Sequence, residues 1–228
     1  MAFRNKVTQN SNLLVVQTAY HPPLDLPTSI ADKKFTSLHI YGTPKNLRHL
    51  GTLTHLTELL MSGPKLNDLS LLAGLRKLEY FAYTKGGLKE FDLRFAAKSL
   101  KTLILQAHRP LTDVSSIGCC TRLTNLTVRH LHRLTTYFDV AQLPRLQMLR
   151  LQGVDSWPSI AGVVAAKSLA QLALDKTKIE DGNWEPLLRL KKLKYVSGLE
   201  DAFGKEAAAE FRRLRPKLET PRRSFEFQ

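Results

Sequence analysis

The sequence from Leu56 to Tyr83 reads LTELLMSGPKLNDLSLLAGLRKLEYFAY, and it contains two apolar patterns in tandem. In the first pattern, Leu56, Leu59 and Met61 are separated by steps of three and then two residues. In the second pattern, every third residue is apolar: Leu66, Leu69, Leu72, Leu75, Leu78 and Phe81. An α-helix advances about 100° per residue, so six such positions would spread around it and form no single face. A long 3₁₀ helix would align them, but 3₁₀ runs beyond about four residues are uncommon.

Together the two patterns describe one coil of a solenoid. Steps of three and then two suit the end of a strand, where alternate side chains point inward. An apolar residue at every third position suits a return segment that presents one side chain per short turn to an adjacent core. One coil cannot bury its apolar side alone, so the pattern predicts stacked neighbours of the same kind.

The strand pattern recurs along most of the chain, with a truncated eighth copy at Leu193 and Val196. Successive copies start 21 to 24 residues apart. The period-three return recurs as well, but one inward position falls on Arg94. The seven complete copies begin at Phe35, Leu56, Leu78, Leu100, Leu123, Leu146 and Leu169.

From Phe35 to Val196 these residues resemble the leucine-rich repeat family. The short repeat is similar to the type found in phosphatase-regulating repeats and in small bacterial cytoplasmic repeat proteins. The resemblance implies a curved α/β solenoid with a parallel concave β-sheet, short 3₁₀, turn or helical returns on the convex side, and a C-terminal capping helix.

The sequence departs from the family at one position in each repeat. The family usually carries Asn or Cys three residues after the last apolar residue of the strand, where the side chain bonds to the backbone. The turns must therefore satisfy their backbone groups in another way. That position holds Thr43, Pro64, Gly86, His108, Leu131, Val154 and Thr177.

The repeat pattern divides the chain into three parts. Residues 1–34 are expected to form an N-terminal tail and cap, because the coil at each end of a solenoid would otherwise expose its core. Residues 35–200 form the solenoid, and residues 201–228 form a C-terminal capping helix and a basic tail. The helix is expected from Asp201 to Leu214, where apolar residues recur at helical spacing: Phe203, Ala207, Phe211 and Leu214.

The chain is strongly basic, with 34 Lys and Arg against 20 Asp and Glu and a net charge of +14. This excess suggests an acidic partner, whether nucleic acid, a membrane surface or an acidic protein, and a protein with an acidic surface is favoured over nucleic acid. The charge is spread along the chain without a block of like charges, which favours the alternative of a solvated basic rim with no partner. No apolar run approaches the roughly 18 residues of a membrane span, and the N-terminus lacks the apolar core of a signal peptide. We therefore expect a cytoplasmic protein without membrane contact.

The sequence offers little for catalysis. It has no phosphate-binding glycine-rich loop, no HExxH, no GxSxG and no paired CxxC. His130 and His132 form an HxH pair, but without a cluster of Cys or carboxylates they indicate ordinary surface residues. Cys119 and Cys120 are adjacent and do not suit a disulfide framework, and Cys120 is expected to be a reduced core thiol. We predict no catalytic residue, no metal and no cofactor.

The concave sheet is the remaining candidate site. The third, fifth and seventh residues of each strand pattern should point into the hollow, and few of them are charged. A surface with Tyr, Met and Arg but few Lys is typical of a protein-binding patch. The alternative is that a sheet favours Ile, Thr and Tyr on either face. The predicted protein-binding residues are Tyr41, Leu60, Tyr80, Ile104, Arg129, Met148, Arg150, Gln152 and Asp175.

These observations favour a non-catalytic protein-binding module, a monomer that joins its partner in a heterodimeric complex. The resemblance to small bacterial proteins suggests an inhibitor, such as an immunity protein that neutralises a cognate toxin. A regulatory adaptor resembling phosphatase-binding repeat proteins is one alternative. Nucleic-acid binding through a basic rim is another, although nucleic-acid binding would favour Arg, Lys and stacking aromatics along the concave face.

Overall fold

The computed structural model describes residues 6–9, 12–17 and 35–219, and it is built around one continuous sheet. Twelve strands occur in these residues. They are β1 (Lys6–Gln9), β2 (Leu13–Gln17), β3 (Ser37–Tyr41), β4 (Glu58–Ser62), β5 (Tyr80–Thr84), β6 (Thr102–Gln106), β7 (Asn125–Arg129), β8 (Met148–Gln152), β9 (Ser156–Trp157), β10 (Gln171–Ala173), β11 (Lys178–Ile179) and β12 (Tyr195–Ser197).

The main sheet has ten strands in the order β1-β2-β3-β4-β5-β6-β7-β8-β10-β12. From β2 onward all neighbours are parallel, whereas β1 pairs antiparallel with β2. Equivalent positions of successive coils lie side by side, as in the pair Ser37 and Glu58. Each position of the repeat therefore forms a column along the sheet, and the predicted parallel solenoid is confirmed. The antiparallel strand β1 was not predicted.

Short 3₁₀ helices form the returns, as predicted. Their inward residues, such as Leu72 and Ile117, are completely buried and pack against the strand leucines in a single core. Strands β9 and β11 add a small parallel sheet beside two of the returns. The 3₁₀ helices are Leu47–Thr52, Ser70–Leu72, Arg94–Ala96, Ser115–Cys119, Val140–Gln142, Ala161–Ala165 and Glu185–Arg189.

The coil that contains Arg94 differs from the expected phase. The inward positions are Leu93 and Ala96, with exposures of 0% and 1%, and Arg94 points outward to pair with Asp92 at 2.6 Å. The 3₁₀ helix starts 24 residues after the equivalent helix at Ser70, although the strand pattern repeats after 22. The helix is therefore displaced by two residues, and a shorter connection to Leu100 compensates.

Side-chain oxygens cap most of the returns. Asp68 accepts a hydrogen bond from the backbone N–H of Ser70 at 2.8 Å, at the first residue of the 3₁₀ helix. Such bonds satisfy N–H groups that a helix start leaves without partners. The same bond recurs at equivalent places in other coils, with Asp92, Asp113, Asp139, Ser159 and Asn183 as acceptors.

Different side chains replace the family's repeated Asn or Cys. The Tyr83 hydroxyl donates to the carbonyl oxygen of Pro64 at 2.6 Å and accepts from the N–H of Leu66 at 3.0 Å. Gly86 leaves space for this ring, because a Cβ there would lie 2.5 Å from Tyr83 Cζ. His108 Nε2 donates to the carbonyl oxygen of Tyr83 at 2.9 Å.

Thr177 provides the equivalent bonds near the C-terminal end. Its hydroxyl donates to the carbonyl oxygen of Leu151 at 3.1 Å and accepts from the N–H of Val154 at 3.3 Å. Tyr83, His108 and Thr177 are all fully buried, so each satisfies backbone groups that water does not reach. The backbone requirement that the sequence analysis left open is met by a different chemistry in each of these coils.

A left-handed residue follows the strands. It is glycine in some coils, such as Gly63, where a Cβ would lie 3.0 Å from the carbonyl oxygen of Gly42. In others it is a residue with a side chain, such as Ala107 at φ 59°. These residues turn the chain from the sheet toward the returns. The recurring glycines were a turn signal that the sequence analysis did not use.

The C-terminal end differs from the single helix predicted over Asp201 to Leu214. Two helices cover the last coil, α1 (Leu199–Phe203) and α2 (Lys205–Leu214), with a break at Gly204. The break changes the phase, so Ala208 and Phe211 are buried whereas Leu214 is 45% exposed. Beyond α2, Glu219 pairs with the edge of the sheet at Tyr195. Most of the predicted cap and the tail from residue 220 lie outside the described residues.

Candidate functional site

The concave face is formed by alternate residues of the parallel strands. In β3 and β4 the second and fourth residues are buried, and the first, third and fifth face outward. These outward residues are the third, fifth and seventh positions of the sequence pattern. All nine predicted protein-binding residues lie at such positions, and we describe them in two groups.

The N-terminal group contains aromatic and aliphatic side chains. Tyr41 is 37% exposed, and Leu60, Tyr80 and Ile104 are half-buried. Burial raises the pKa of Tyr80, and the nearby Glu58 and Tyr41 add to that rise. The group therefore presents neutral phenol and hydrocarbon surface at neutral pH.

This group also contains a histidine–carboxylate contact that the sequence analysis did not identify. His39 Nε2 lies 2.7 Å from Glu58 Oε1 across neighbouring strands, and 3.4 Å from the hydroxyl of Ser37. A hydrolase triad would place the hydroxyl and the carboxylate on opposite nitrogens of the ring. Here both lie against Nε2, so the three residues do not have the arrangement of a catalytic triad.

The C-terminal group is polar and more buried. Arg129 pairs with Gln152 in the sheet, and Thr127 pairs with Arg150. The two arginines therefore lie diagonally on neighbouring strands. Arg129, Met148 and Gln152 are half-buried, whereas Arg150 and Asp175 are each only 8% exposed.

Opposing charges meet around Arg150. Burial lowers the pKa of Arg150, and Arg129 lowers it further, whereas Asp175 and Tyr195 raise it. The hydroxyl of Ser197 donates to Asp175 Oδ2 at 3.0 Å and fixes that carboxylate. Tyr195 lines the same narrow space as Met148 and Arg150, and it was not among the predicted site residues.

Two polar atoms of this group are buried without a hydrogen bond. Within the described part of the chain, Arg129 Nε and Gln152 Oε1 have no hydrogen-bond partner. Buried polar atoms usually have partners, because leaving one unpaired costs about 1–3 kcal/mol. The face therefore keeps one donor and one acceptor close together with their hydrogen-bonding capacity unused.

A row of cations borders the concave face where the chain enters the strands. Six four-residue segments contain ten Lys and Arg and a single acidic residue, Glu79. These cations are exposed except Lys101, which is half-buried and pairs with Glu79 at 2.7 Å. We call this row the basic ridge; its segments are 76–79, 98–101, 121–124, 144–147, 167–170 and 191–194.

Acidic side chains lie elsewhere around each coil. The carboxylates that cap the returns, such as Asp68 and Asp113, stand at the start of the 3₁₀ helices. The basic ridge follows the ends of those helices. Four of the six coils therefore carry a capping carboxylate where the return begins and cations where it ends.

The other candidate residues show no metal-binding arrangement. His132 Nδ1 lies 2.7 Å from Asp155 Oδ1, while His130 stacks at 6.3 Å from His132. No group of three or more His, Cys, Asp or Glu suited to a metal occurs among the described residues. Cys120 is buried and Cys119 exposed, both are free thiols, and burial raises the pKa of each. No helix among the described residues has the length and apolar character needed to cross a bilayer.

Known structures identify the class of fold. A leucine-rich repeat protein of Leptospira interrogans is 20% identical with a TM-score of 0.63, and the match covers 82% of this chain and 52% of that one. Internalin C2 of Listeria monocytogenes is 21% identical with a TM-score of 0.62, covering 80% and 79%. Another internalin of that bacterium is 20% identical with a TM-score of 0.58, covering 84% and 65%.

These matches and the stacked coils show that the chain has the leucine-rich repeat fold. That fold is typically a non-catalytic scaffold that binds other proteins. The chain spans about half the length of the Leptospira protein. No protein-family model and no curated protein matches the sequence.

Proposed function

We propose that the protein is a non-catalytic binding module that holds another protein on its concave face. The observation that carries this proposal is the composition of that face in a chain of net charge +14. Its N-terminal group is aromatic and aliphatic, and its C-terminal group holds two arginines, with unused hydrogen-bonding atoms at Arg129 Nε and Gln152 Oε1. An apolar centre beside desolvated Arg and Tyr side chains is the anatomy of a protein interface.

The arginine pair defines the chemistry of the partner. Arg129 and Arg150 together outweigh the single carboxylate of Asp175, so this group carries one excess positive charge. A partner carboxylate would neutralise that charge and could accept from Arg129 Nε. Arginine suits this role because its planar guanidinium binds carboxylates through paired hydrogen bonds. The partner is therefore a protein with an acidic surface.

The binding acts as inhibition in this proposal. The module forms a heterodimer in the cytoplasm as a monomeric subunit, and it neutralises its partner as an immunity protein neutralises a cognate bacterial toxin. The support for inhibition is the resemblance to small bacterial repeat proteins.

Capture from cells that encode the protein tests the proposal. The tagged protein is compared with the paired variant Arg129→Glu and Arg150→Glu. The control variant, Arg109→Glu with Arg133→Glu, makes the same charge change at exposed positions of adjacent coils. We expect wild type and control to retain a partner that the concave variant loses, because truncating interface arginines typically costs more than about 2 kcal/mol.

Two further measurements complete the test. Expression of the captured partner alone should arrest growth, and co-expression of this protein should relieve the arrest. A second control variant carries Arg222→Glu and Arg223→Glu, which reverse two charges outside the described residues. Loss of the partner in that variant, but not in the concave variant, would move the contact to the tail and overturn the proposal.

A further inference from the structure

Most cations of the basic ridge form no ion pair with the residues that the structure describes. Among the described residues, Lys101 alone of these side chains forms an ion pair, with Glu79. Arg122 donates to the carbonyl oxygen of Lys98 at 3.3 Å, which is a weak exposed bond. Short helices have small dipoles, so attraction of cations to the ends of the 3₁₀ returns does not account for so many. Among the described residues, these two contacts offset only part of the electrostatic repulsion within the ridge.

The stacking of the coils makes the ridge a continuous array. The segments belong to the six coils whose strands are β5, β6, β7, β8, β10 and β12, and neighbouring strands lie about 4.8 Å apart. The array is therefore about 24 Å long, with one or more cations on each coil. It runs beside the concave face along the edge where the strands begin.

We propose that the basic ridge binds an acidic edge of the protein that occupies the concave face. This inference rests on the proposed function and adds an orientation to it. The partner overhangs the edge where the strands begin, and its carboxylates lie along the ridge. A centre with few charges and a strongly charged rim matches the anatomy of protein interfaces, in which rim charges guide association.

The composition of the ridge favours a protein over nucleic acid. Single strands bind through aromatic side chains that stack on bases, and the six ridge segments contain no Phe, Tyr or Trp. If a DNA duplex lay on the ridge, the ridge cations would contact only its phosphates. The aromatic and aliphatic group of the concave face would then stay uncovered. A protein with an acidic edge covers both surfaces.

Two labelled probes test the inference at about 150 mM salt. The first is a random copolymer of glutamate and tyrosine, which combines carboxylates with apolar rings. The second is a DNA duplex of about 24 base pairs. The ridge variant carries Lys98→Glu, Arg122→Glu, Arg145→Glu and Lys167→Glu. The control variant makes the same net charge change at exposed cations that follow the strands: Lys65→Glu, Lys89→Glu, Arg109→Glu and Arg133→Glu.

The ridge variant should bind the copolymer at least about tenfold more weakly than wild type, and the control variant within about threefold of it. Absence of copolymer binding, or equal losses in the two variants, overturns the inference. The inference is also overturned if wild type and the control variant bind the duplex with a Kd below about 1 µM and the ridge variant does not. The ridge would then be a nucleic-acid surface. Partner capture from cells separates this inference from the proposed function. If the concave variant loses the partner and the ridge variant keeps it, the proposed function stands and only this inference is wrong.

Discussion

The imidazole of His108 meets the ring of Tyr83 edge to face, with ring centroids 4.4 Å apart and an interplanar angle of 68°. Both side chains are completely buried, and they belong to neighbouring coils. Burial lowers the pKa of His108 to about 4, although its hydrogen bond to the Tyr83 carbonyl acts in the opposite direction. The histidine is therefore neutral in the folded protein at pH values where it becomes protonated in the unfolded chain.

This histidine predicts acid sensitivity. Between pH 6.5 and about 4 the unfolded chain binds a proton that the folded protein does not, so stability falls as the pH decreases through that window. Lowering the pH from 7 to 5 should cost about 2 kcal/mol through His108 alone. Urea unfolding of wild type and His108→Asn at both pH values isolates this contribution. An equal pH dependence in the two proteins would show that His108 is not the source.

Tyr83→Phe should destabilise the protein by about 1–3 kcal/mol, because it leaves the Pro64 carbonyl and the Leu66 N–H buried without their partner. Tyr137→Phe is the comparison, since Tyr137 is only half-buried and donates one bond to Leu134. Its loss should be about 1 kcal/mol or less. Chemical unfolding of both variants measures the difference, and similar losses would contradict the role given to the Tyr83 hydroxyl.

Leu93→Asp should unfold the neighbouring coils as severely as Leu72→Asp, since both leucines are completely buried and an unpaired carboxylate would replace them. Arg94→Ala should leave the free energy of unfolding nearly unchanged, because its ion pair with Asp92 is exposed. Melting temperatures of the three variants check the phase of this coil. A stable Leu93→Asp protein would show that Leu93 does not point into the core and that the return is not displaced.

Asp175→Asn should destabilise the fold, because it removes the carboxylate that supports Arg150 against burial and against Arg129. Adding Arg129→Gln should restore part of the lost stability by removing the repulsion. A double-mutant cycle measured by chemical unfolding gives the coupling between Asp175 and Arg129. Additive losses would mean that the two charges do not share one cluster.

The periodicity of the apolar residues was sufficient to predict the parallel sheet, the returns and the columns of the concave face, because stacking repeats each position in space. It failed at Leu93 and Arg94, where a displaced return kept the overall repeat length unchanged. It failed again at Gly204, since Ala207 and Ala208 suit either helix phase. The spacing of apolar residues shows neither the displacement of a return that a shorter connection compensates nor the position of a helix break.

The candidate site was predictable in position but not in environment. The two columns that contain Arg150 and Asp175 follow directly from the strand pattern. The burial of these residues does not, because it depends on neighbours in other coils: Met148 and Tyr195 line the space around Arg150, and Ser197 bonds to Asp175. The contact between His39 and Glu58 likewise joins two coils, and neither residue stands out in its own repeat.

The hydrogen bonds that satisfy the turns differ from coil to coil, and this difference restricts how the chain can evolve. Tyr83 bonds to Pro64 of the preceding coil, His108 to Tyr83, and Thr177 to Leu151. An array with one residue type at that position can gain or lose a coil by duplication or deletion of a gene segment, since every junction is alike. Here such an event would bring together turn residues that do not fit each other. New partners must therefore be reached by substitutions on the concave face, while the number of coils stays fixed.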